Sequence, residues 1–332
     1  MSVEEWTSAP FQEEVRVWVG DRLAEHGLRL TGEWEQPHAR TWSSAIRFET
    51  TGGRVWFKVN GVGTAHEASL VRLVDELVPG LVPEVLAVDV SRGWSVSRDG
   101  GPLLRAFQPP EELWDAWEGV VARYAKAQLV LSAHRDAVLA TGVVEVSPAT
   151  TPALARALVA ELSAAPVAEG GLSHEQSRQL AGVLPALDAW CAELAAAGVP
   201  DSVQHDDLHS ANVCWPGTLS AARIIDWGDS SWGHPFGTML ATLNSIAFHA
   251  GVLVDGQPVT DPAVLRVRDA YLEPFTAYAG RPELRRAVDL ARRTGCVAKA
   301  LSYRAAMAGA TVEAQAEHDF PVREWLLGLL DD

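Results

Sequence analysis

One short part of the sequence gathers most of the side chains that could do chemistry. Residues 205–212 read His-Asp-Asp-Leu-His-Ser-Ala-Asn, and residues 226–229 read Asp-Trp-Gly-Asp. Burying several carboxylates near one another is costly unless a cation neutralises them. Aspartate and asparagine oxygens suit a hard ion such as Mg²⁺, which keeps water ligands and recruits substrate phosphates. The spacing therefore predicts a magnesium–phosphate site.

A zinc site is the competing interpretation of the first motif. His205 and His209 have the H-x-x-x-H spacing of a helical zinc site, with an acidic residue second as in H-E-x-x-H. That site needs several helical turns so that both imidazoles share one face. Pro200 and the β-type Val203 precede the motif, and residues 213–216 (Val-Cys-Trp-Pro) follow it. The sequence leaves too little room for such a helix, so we favour magnesium.

The two motifs together resemble those of a known family. His205-x-Asp207-x-x-x-x-Asn212 has the spacing of the protein-kinase catalytic loop, H-R-D-x-x-x-x-N, and residues 226–228 stand where D-F-G would be. The residues of the two motifs are most similar to those of the aminoglycoside phosphotransferase and small-molecule kinase family. That family usually has glycine where Asp206 stands. The resemblance extends over nearly the whole chain, and the pair of motifs is specific where either alone would be weak.

The resemblance implies roles for the residues of both motifs. Asp207 would accept or orient the proton of the substrate hydroxyl, while Asn212 and Asp226 would hold Mg²⁺ ions that bridge the phosphates of ATP. His205 would tie the loop to the backbone near the magnesium-binding turn. The charges suit this reaction, because phosphoryl transfer needs alignment and neutralised phosphate charge more than covalent help from the protein.

Lysine is scarce, which draws attention to each occurrence. The chain has 24 arginines but only Lys58, Lys126 and Lys299. Lys58 ends a β-type run where the family's phosphate-binding lysine would lie, and Glu67, nine residues on, could pair with it. Lys126 is interpreted as a solvated residue of an amphipathic helix. Lys299 is also helical, with no evident partner.

The usual glycine-rich nucleotide loop is missing before Lys58. Residues 40–45 read Arg-Thr-Trp-Ser-Ser-Ala instead. The resembling kinases often use a serine-bearing turn here, so Ser43 and Ser44 are candidate ligands of a nucleotide phosphate. A plain hairpin turn is the alternative. By resemblance alone, the adenine is expected near residues 96–99.

The acceptor is expected in the C-terminal part of the chain. Of the 16 excess negative charges, four fall in residues 1–105 and twelve in residues 106–332. A negative field attracts cations, which would suit an amino sugar or an aminoglycoside, although acidic surfaces also serve solubility. His209 is a candidate substrate contact by resemblance, and a simple loop histidine is the alternative. Asp229 and Trp232 are further candidates, the tryptophan by stacking on a sugar ring, with packing in the core or between the lobes as its alternative role.

The elements that must position these residues change in type along the chain. In the first hundred residues, β-type runs surround a Gly-Gly turn and predict a hairpin, followed by two more strands. Apolar residues at helical spacing predict two helices in the same region. The expected strands are 42–49, 55–59, 85–90 and 94–97, and the expected helices are 13–26 and 65–77.

From residue 111 onward, long alanine- and leucine-rich helical patterns dominate. With the resemblance, this predicts an α+β, two-lobed, protein-kinase-like fold. Residues 1–101 would form a small antiparallel-sheet lobe that binds nucleotide. Residues 102–332 would form a mostly helical lobe with the catalytic loop, metal site and acceptor site. The expected helices span 114–141, 152–164, 174–197, 235–250, 262–279, 282–308 and 322–330, with β-type runs at 203–204 and 222–225.

Composition excludes several classes of partner. The chain has 332 residues, a formal net charge of −16 and 48% hydrophobic residues. This acidity argues against binding to nucleic acid or to an anionic membrane. The first eleven residues lack a signal pattern, and no apolar stretch reaches the ~18 residues needed to cross a bilayer. We therefore expect a soluble cytoplasmic protein. Three scattered cysteines predict neither a disulfide framework nor a zinc cluster.

The predicted function is ATP- and Mg²⁺-dependent transfer of phosphate to a hydroxyl of a small molecule, cationic or sugar-like, such as an aminoglycoside or amino sugar. A neutral sugar or a biosynthetic intermediate is the alternative acceptor. A non-catalytic, kinase-like nucleotide-binding module is less favoured, because such proteins typically lose one of the motif residues. This chain keeps all five: Lys58, Glu67, Asp207, Asn212 and Asp226.

Overall fold

The N-terminal part of the molecule is an antiparallel sheet with helices packed on it. A computed structural model describes residues 3–107, 113–253 and 259–331. Its five strands follow the order β1-β2-β3-β5-β4, and each neighbouring pair is antiparallel. The elements are α1 (Val3–Trp6), α2 (Ala9–Glu25), β1 (Leu30–Ala39), β2 (Ser43–Thr50), β3 (Gly53–Asn60), α3 (Glu67–Leu77), β4 (Val85–Asp89) and β5 (Trp94–Arg98).

The β2–β3 hairpin explains how this sheet presents Lys58. Thr50 pairs with Gly53 across the turn, where Gly53 has the positive φ of 97° that glycine adopts readily. Successive side chains of a strand point to opposite faces. Phe57 is therefore buried in the core beneath α2, while Lys58 faces the opposite side of the sheet.

The predicted N-terminal elements are confirmed with small shifts of their ends. Strand β1 was not predicted, and its composition gives the reason. It is an edge strand that is mostly exposed and contains Gly32 and Pro37, so it lacks the apolar alternation by which strands are recognised.

Where the structure describes it, the C-terminal part is mostly helical and carries two small sheets. One has the order β6-β10-β7, and the other is the antiparallel pair β8–β9. The elements are α4 (Trp114–Leu131), α5 (Arg135–Leu139), β6 (Val144–Val146), α6 (Thr151–Ala164), α7 (His174–Ala196), β7 (Ser202–Gln204), β8 (Val213–Cys214), β9 (Arg223–Ile224), β10 (Ser231–Gly233), α8 (Met239–His249), α9 (Pro262–Leu272), α10 (Arg281–Ala306), α11 (Val312–Ala316) and α12 (Pro321–Leu327).

The α+β class with a sheet lobe and a helical lobe is confirmed, and the long helices differ from expectation mainly at their ends. The helix expected over 114–141 ends at Leu131, and a 3₁₀ turn at Ser132–His134 separates it from α5. The helix expected over 235–250 opens with a 3₁₀ turn at Pro235–Thr238. Regular α9 stops at Leu272 rather than at 279.

Helix α10 runs through the helical lobe and supports the site from below. It has 26 residues and packs against α12, α7 and α8. Its segment from Gly295 to Ser302 is buried throughout. A charged side chain on this part of the helix must therefore find its partners inside the protein.

The three cysteines, Cys191, Cys214 and Cys296, are free and buried, in agreement with the sequence. Within the described ranges, no helix combines the length and the apolar character needed to cross a bilayer.

Candidate active site

A cleft lies between the N-terminal sheet and the β8–β9 pair. Its cavity has a volume of about 270 Å³ and is walled by apolar side chains from both parts of the chain, including Ala45, Val85 and Ile224. Lys58 and Asp226 are also among its lining residues. An apolar slot with a few charged groups is the usual form of a small-molecule site.

Lys58 holds together three elements beside this cleft. Its Nζ lies 2.8 Å from Glu67 Oε1 and also donates to Asp226 Oδ1. Glu67 accepts the backbone N–H of Trp227 at 3.0 Å and a hydrogen bond from Asn60. Burial disfavours the ammonium, but the two carboxylates outweigh it and raise the pKa of Lys58 above its ordinary value. The pairing predicted for Lys58 and Glu67 is present, and it also includes the metal-motif aspartate.

His205 fixes the catalytic loop to the following turn. Its Nε2 lies 2.9 Å from the carbonyl oxygen of Ile225, and its Nδ1 accepts the backbone N–H of Asp207 at 3.3 Å. Burial lowers the pKa of His205, so the ring is neutral with its proton on Nε2. This geometry matches the tying role that the resemblance implied.

Asp207 is surrounded by donors. Its Oδ2 lies 3.1 Å from His209 Nε2 and 3.2 Å from Asn212 Nδ2, and its Oδ1 lies 3.2 Å from Lys299 Nζ. Burial raises the pKa of this carboxyl, but Lys299 and His209 outweigh that effect and hold it below its ordinary value. Asp207 is therefore ionised at neutral pH.

The β8–β9 pair brings the two proposed metal ligands into one place. The backbone N–H of Ile225 donates to the carbonyl of Asn212 at 3.0 Å, which sets Asp226 beside it. Asn212 Nδ2 faces Asp207, so Oδ1 is the atom it can offer a cation. Asp226 Oδ1 bonds Lys58 and leaves Oδ2 outside that pair.

The side-chain oxygens of Asn212 and Asp226 suit Mg²⁺ better than they suit a metal ion whose ligands all come from the protein. In the described part of the chain, no three His, Cys, Asp or Glu side chains are grouped to hold an ion. Magnesium commonly uses one or two protein oxygens and completes its shell with phosphates and water. Asn212 and Asp226 supply a set of that kind.

The two candidate serines lie on opposite faces of β2. Ser43 is among the cleft-lining residues, and its Oγ lies 2.9 Å from His38 Nε2. Ser44 is fully buried, where it donates to the carbonyl of His38 and accepts from Gln36. Because neighbouring strand residues alternate in direction, Ser44 cannot offer its hydroxyl to a nucleotide in the cleft.

The three acceptor candidates are placed differently. His209 contacts Asp207, and Asp229 Oδ2 lies 3.2 Å from Lys299 Nζ. Trp232 is the central residue of β10, between β6 and β7, and only 2% of it is exposed. Its ring belongs to the core of the helical lobe, so the stacking role predicted for it is wrong.

Comparison with known proteins settles the family. The family model described as the phosphotransferase enzyme family matches residues 72–252, which is more than half of the chain. The chain belongs to this phosphotransferase family. The resemblance indicated by the motifs is thereby confirmed. No curated protein sequence gives a significant match.

Solved structures show that the phosphotransferase has a kinase-like fold. Choline kinase LicA from Streptococcus pneumoniae matches with a TM-score of 0.60 and 14% identity, covering 95% of this chain and 99% of that chain. A macrolide 2'-phosphotransferase type I matches with a TM-score of 0.57 and 14% identity, covering 95% of this chain and 98% of that chain. Macrolide 2'-phosphotransferase MphH from Brachybacterium faecium matches with a TM-score of 0.55 and 19% identity, covering 92% of this chain and 96% of that chain. At these identities the likeness shows a shared fold.

Lys299 contacts two residues of the candidate site, Asp207 and Asp229, which the sequence did not predict. Its side chain is only 3% exposed, and Nζ bonds both Asp207 and Asp229 at 3.2 Å. Burial disfavours its charge, but Asp229 and Asp207 outweigh burial and raise the pKa of Lys299. The available signal was the apolar run Val-Ala-Lys-Ala-Leu over residues 297–301, which encloses one of only three lysines.

Proposed function

We propose that this phosphotransferase transfers the γ-phosphoryl group of ATP to a hydroxyl of a small molecule. The observation that carries the proposal is the position of Lys58, which bonds Glu67 and Asp226 at the cleft. The catalytic-loop residue Asp207 is linked to the same turn through His205. Nucleotide phosphates placed beside Lys58 would thus lie next to the group that receives the acceptor.

The proposed nucleotide site uses both walls of the cleft. The apolar side chains would cover the base, and the adenine is proposed near residues 96–99, of which Ser97, Arg98 and Asp99 line the cavity. Ser43 would contact a phosphate from the sheet side. Lys58 would bind phosphate oxygens with an ammonium that the neighbouring carboxylates keep charged.

The chemistry requires little of the protein beyond alignment and charge. Asn212 and Asp226 would hold Mg²⁺, which when bound would neutralise phosphate charge. Asp207 would accept a hydrogen bond from the acceptor hydroxyl and orient its oxygen toward the γ-phosphorus. As the new P–O bond forms, the bond to the ADP oxygen breaks, and the hydroxyl proton passes to Asp207. An ionised Asp207 suits this role, because a protonated carboxyl could not accept the proton.

Two classes of acceptor have separate support. The excess of negative charge in residues 106–332 supports a cationic, sugar-like acceptor such as an aminoglycoside or amino sugar. The pairing of Asp229 and Asp207 with Lys299 supports a neutral sugar or another neutral intermediate, because the carboxylates at the reacting centre already have a cation.

ADP release from Mg·ATP tests the proposal when it is measured with aminoglycosides, amino sugars, neutral sugars and amino alcohols in turn. We expect release with at least one acceptor, and loss of release in Asp207→Ala. Stabilisation of the wild type by ATP without turnover of any acceptor would favour a nucleotide-binding module instead.

A further inference from the structure

The ammonium of Lys299 lies in a complete cage of side chains. Asp207 and Asp229 each contact Nζ at 3.2 Å. The ring centroids of Tyr303 and Trp325 lie 5.3 and 5.7 Å from the same atom. Lys299 is one of the most enclosed charges of the helical lobe, with 3% of its side chain exposed.

Proteins bind a cationic ligand with this combination of groups. Carboxylates supply charge and hydrogen-bond acceptors, and the faces of aromatic rings attract the ammonium through their quadrupole. The cage is assembled from separate parts of the chain. Helix α10 supplies Lys299 and, one turn later, Tyr303, and α12 supplies Trp325. The two motif segments supply the aspartates.

The carboxylates also reach the open side of the site. Asp207 is 32% exposed and Asp229 is 26% exposed, whereas Lys299 approaches them from the buried side. An acceptor that reaches Asp207 therefore meets two carboxylates whose charge is already partly neutralised. An ammonium on that acceptor would lie next to a like charge or would have to displace Lys299 from its cage.

We propose that Lys299 is a specificity-determining residue: it fills an ammonium subsite beside Asp207, and so selects acceptors whose reacting hydroxyl has no ammonium next to it. The inference rests on the proposed function, since it requires the acceptor hydroxyl to bind at Asp207. It names the acceptor class as a neutral polyol or sugar at the reacting end. A positive charge elsewhere on the acceptor is compatible with it.

Matched acceptors test the selectivity directly. Glucosamine has an ammonium in place of the 2-hydroxyl of glucose, and 1-amino-2-propanol has one in place of the 1-hydroxyl of propane-1,2-diol, so in each pair the ammonium lies next to a hydroxyl. We expect the wild type to favour the neutral member of a pair by at least about tenfold in kcat/KM. Lys299→Met should lower kcat for both members, yet reduce KM for the ammonium member and move the ratio toward it. Preference of the wild type for the ammonium member, or an unchanged ratio in Lys299→Met, would overturn the inference.

A second measurement needs no turnover. Lys299→Ala leaves the cage empty, so propylammonium should raise its Tm while propanol does not. Wild type and Lys126→Ala, which truncates an exposed lysine, should show no such difference. Adding Asp229→Asn to Lys299→Ala should abolish the effect. Lys299→Met serves as the starting variant if the alanine variant does not fold, with methylammonium as the ligand.

The two measurements separate the two claims. Selective stabilisation by the alkylammonium without turnover of any acceptor would support the subsite and count against the proposed function. Turnover with no charge selectivity, together with equal responses to alkylammonium and alcohol, would leave the proposed function standing and overturn the role of Lys299.

Discussion

Lys58 on β3 and Glu67 at the start of α3 form an ion pair in which Nζ lies 2.7 Å from Oε2, and Glu67 is 4% exposed. The same ammonium bonds Asp226, so one cation neutralises two carboxylates from distant parts of the chain. Removal of this charge would leave both carboxylates uncompensated beside the proposed nucleotide site. The pair thus connects the stability of the cleft with its proposed chemistry.

Lys58→Met should therefore lower both the rate of turnover and the free energy of unfolding. We expect turnover to fall by about 10²–10³-fold, as for loss of a charge that stabilises a transition state. Glu67 is only 4% exposed, so loss of its cation should also cost up to about 3 kcal/mol of unfolding free energy. The side chain of Asp226 is 53% exposed, so its loss of the same partner should add little. Steady-state kinetics and urea unfolding measure the two effects, with Lys126→Met as the matched exposed control. Unchanged ATP affinity and turnover would contradict the proposed role of Lys58.

Ser43→Ala and Ser44→Ala should separate nucleotide binding from packing. Ser43 lines the cleft, so its loss should raise KM for ATP by about three- to tenfold, the equivalent of one hydrogen bond. Ser44 is fully buried on the opposite face of β2, where it bonds His38 and Gln36, so its loss should leave KM unchanged and cost about 1 kcal/mol of stability. Nucleotide titrations and urea unfolding of both variants test this. Equal effects on KM would show that the two faces of β2 are wrongly assigned.

Asp206 should give the protein a measurable pH dependence. It stands where the family usually has glycine, with φ at 56°, and its buried carboxyl accepts from Ser231. Burial raises the pKa of Asp206 to about 7, against an unfolded value near 3.9. Between these values the native state binds the extra proton, so stability from this group is present at low pH and is lost as pH rises toward 7.

Asp206→Gly should remove this dependence. We expect the variant to gain stability relative to wild type at pH 8 and to gain less, or to lose stability, at pH 5. Glycine also adopts the positive φ without strain, which should add about 1 kcal/mol to the free energy of unfolding. Alanine keeps this strain, so Asp206→Ala should not show that gain. Urea unfolding of both variants at the two pH values separates charge from backbone strain. A variant-to-wild-type difference that is the same at both pH values would exclude titration of Asp206 in this range.

Local sequence patterns were sufficient for most of the fold. The β2–β3 hairpin and the long helices have strong apolar periodicity, and the motif spacing placed Asp207, Asn212 and Asp226 in one site. Strand β1 lacked that signal because it is a polar edge strand. The short strands β6, β8 and β10 exist through tertiary pairing, which no local pattern of two or three residues can report.

The features of the site that the sequence did not predict depend on contacts between segments that are distant along the chain. Lys299 meets Asp207 from 92 positions away, because α10 passes beneath the catalytic loop. The apolar periodicity of α10 predicted that the segment is helical, but it could not predict that Lys299 contacts Asp207. Trp232 was assigned by its closeness in sequence to the metal motif, whereas its place in the middle of β10 buries it. The different orientations of Ser43 and Ser44 were predictable from the sequence. In the β2–β3 hairpin, the alternation of side chains places Ser43, and not Ser44, on the same face as Lys58.

The central claim is that Asp207 receives the acceptor hydroxyl for transfer of phosphate from ATP. Its most direct test is Mg·ATP-dependent ADP release, measured with the best acceptor of the panel, in wild type and in Asp207→Asn, which keeps the shape of the side chain. We predict a loss of about 10²–10⁴-fold in kcat with ATP binding retained. An Asp207→Asn variant that kept most of the phosphate transfer would contradict the account.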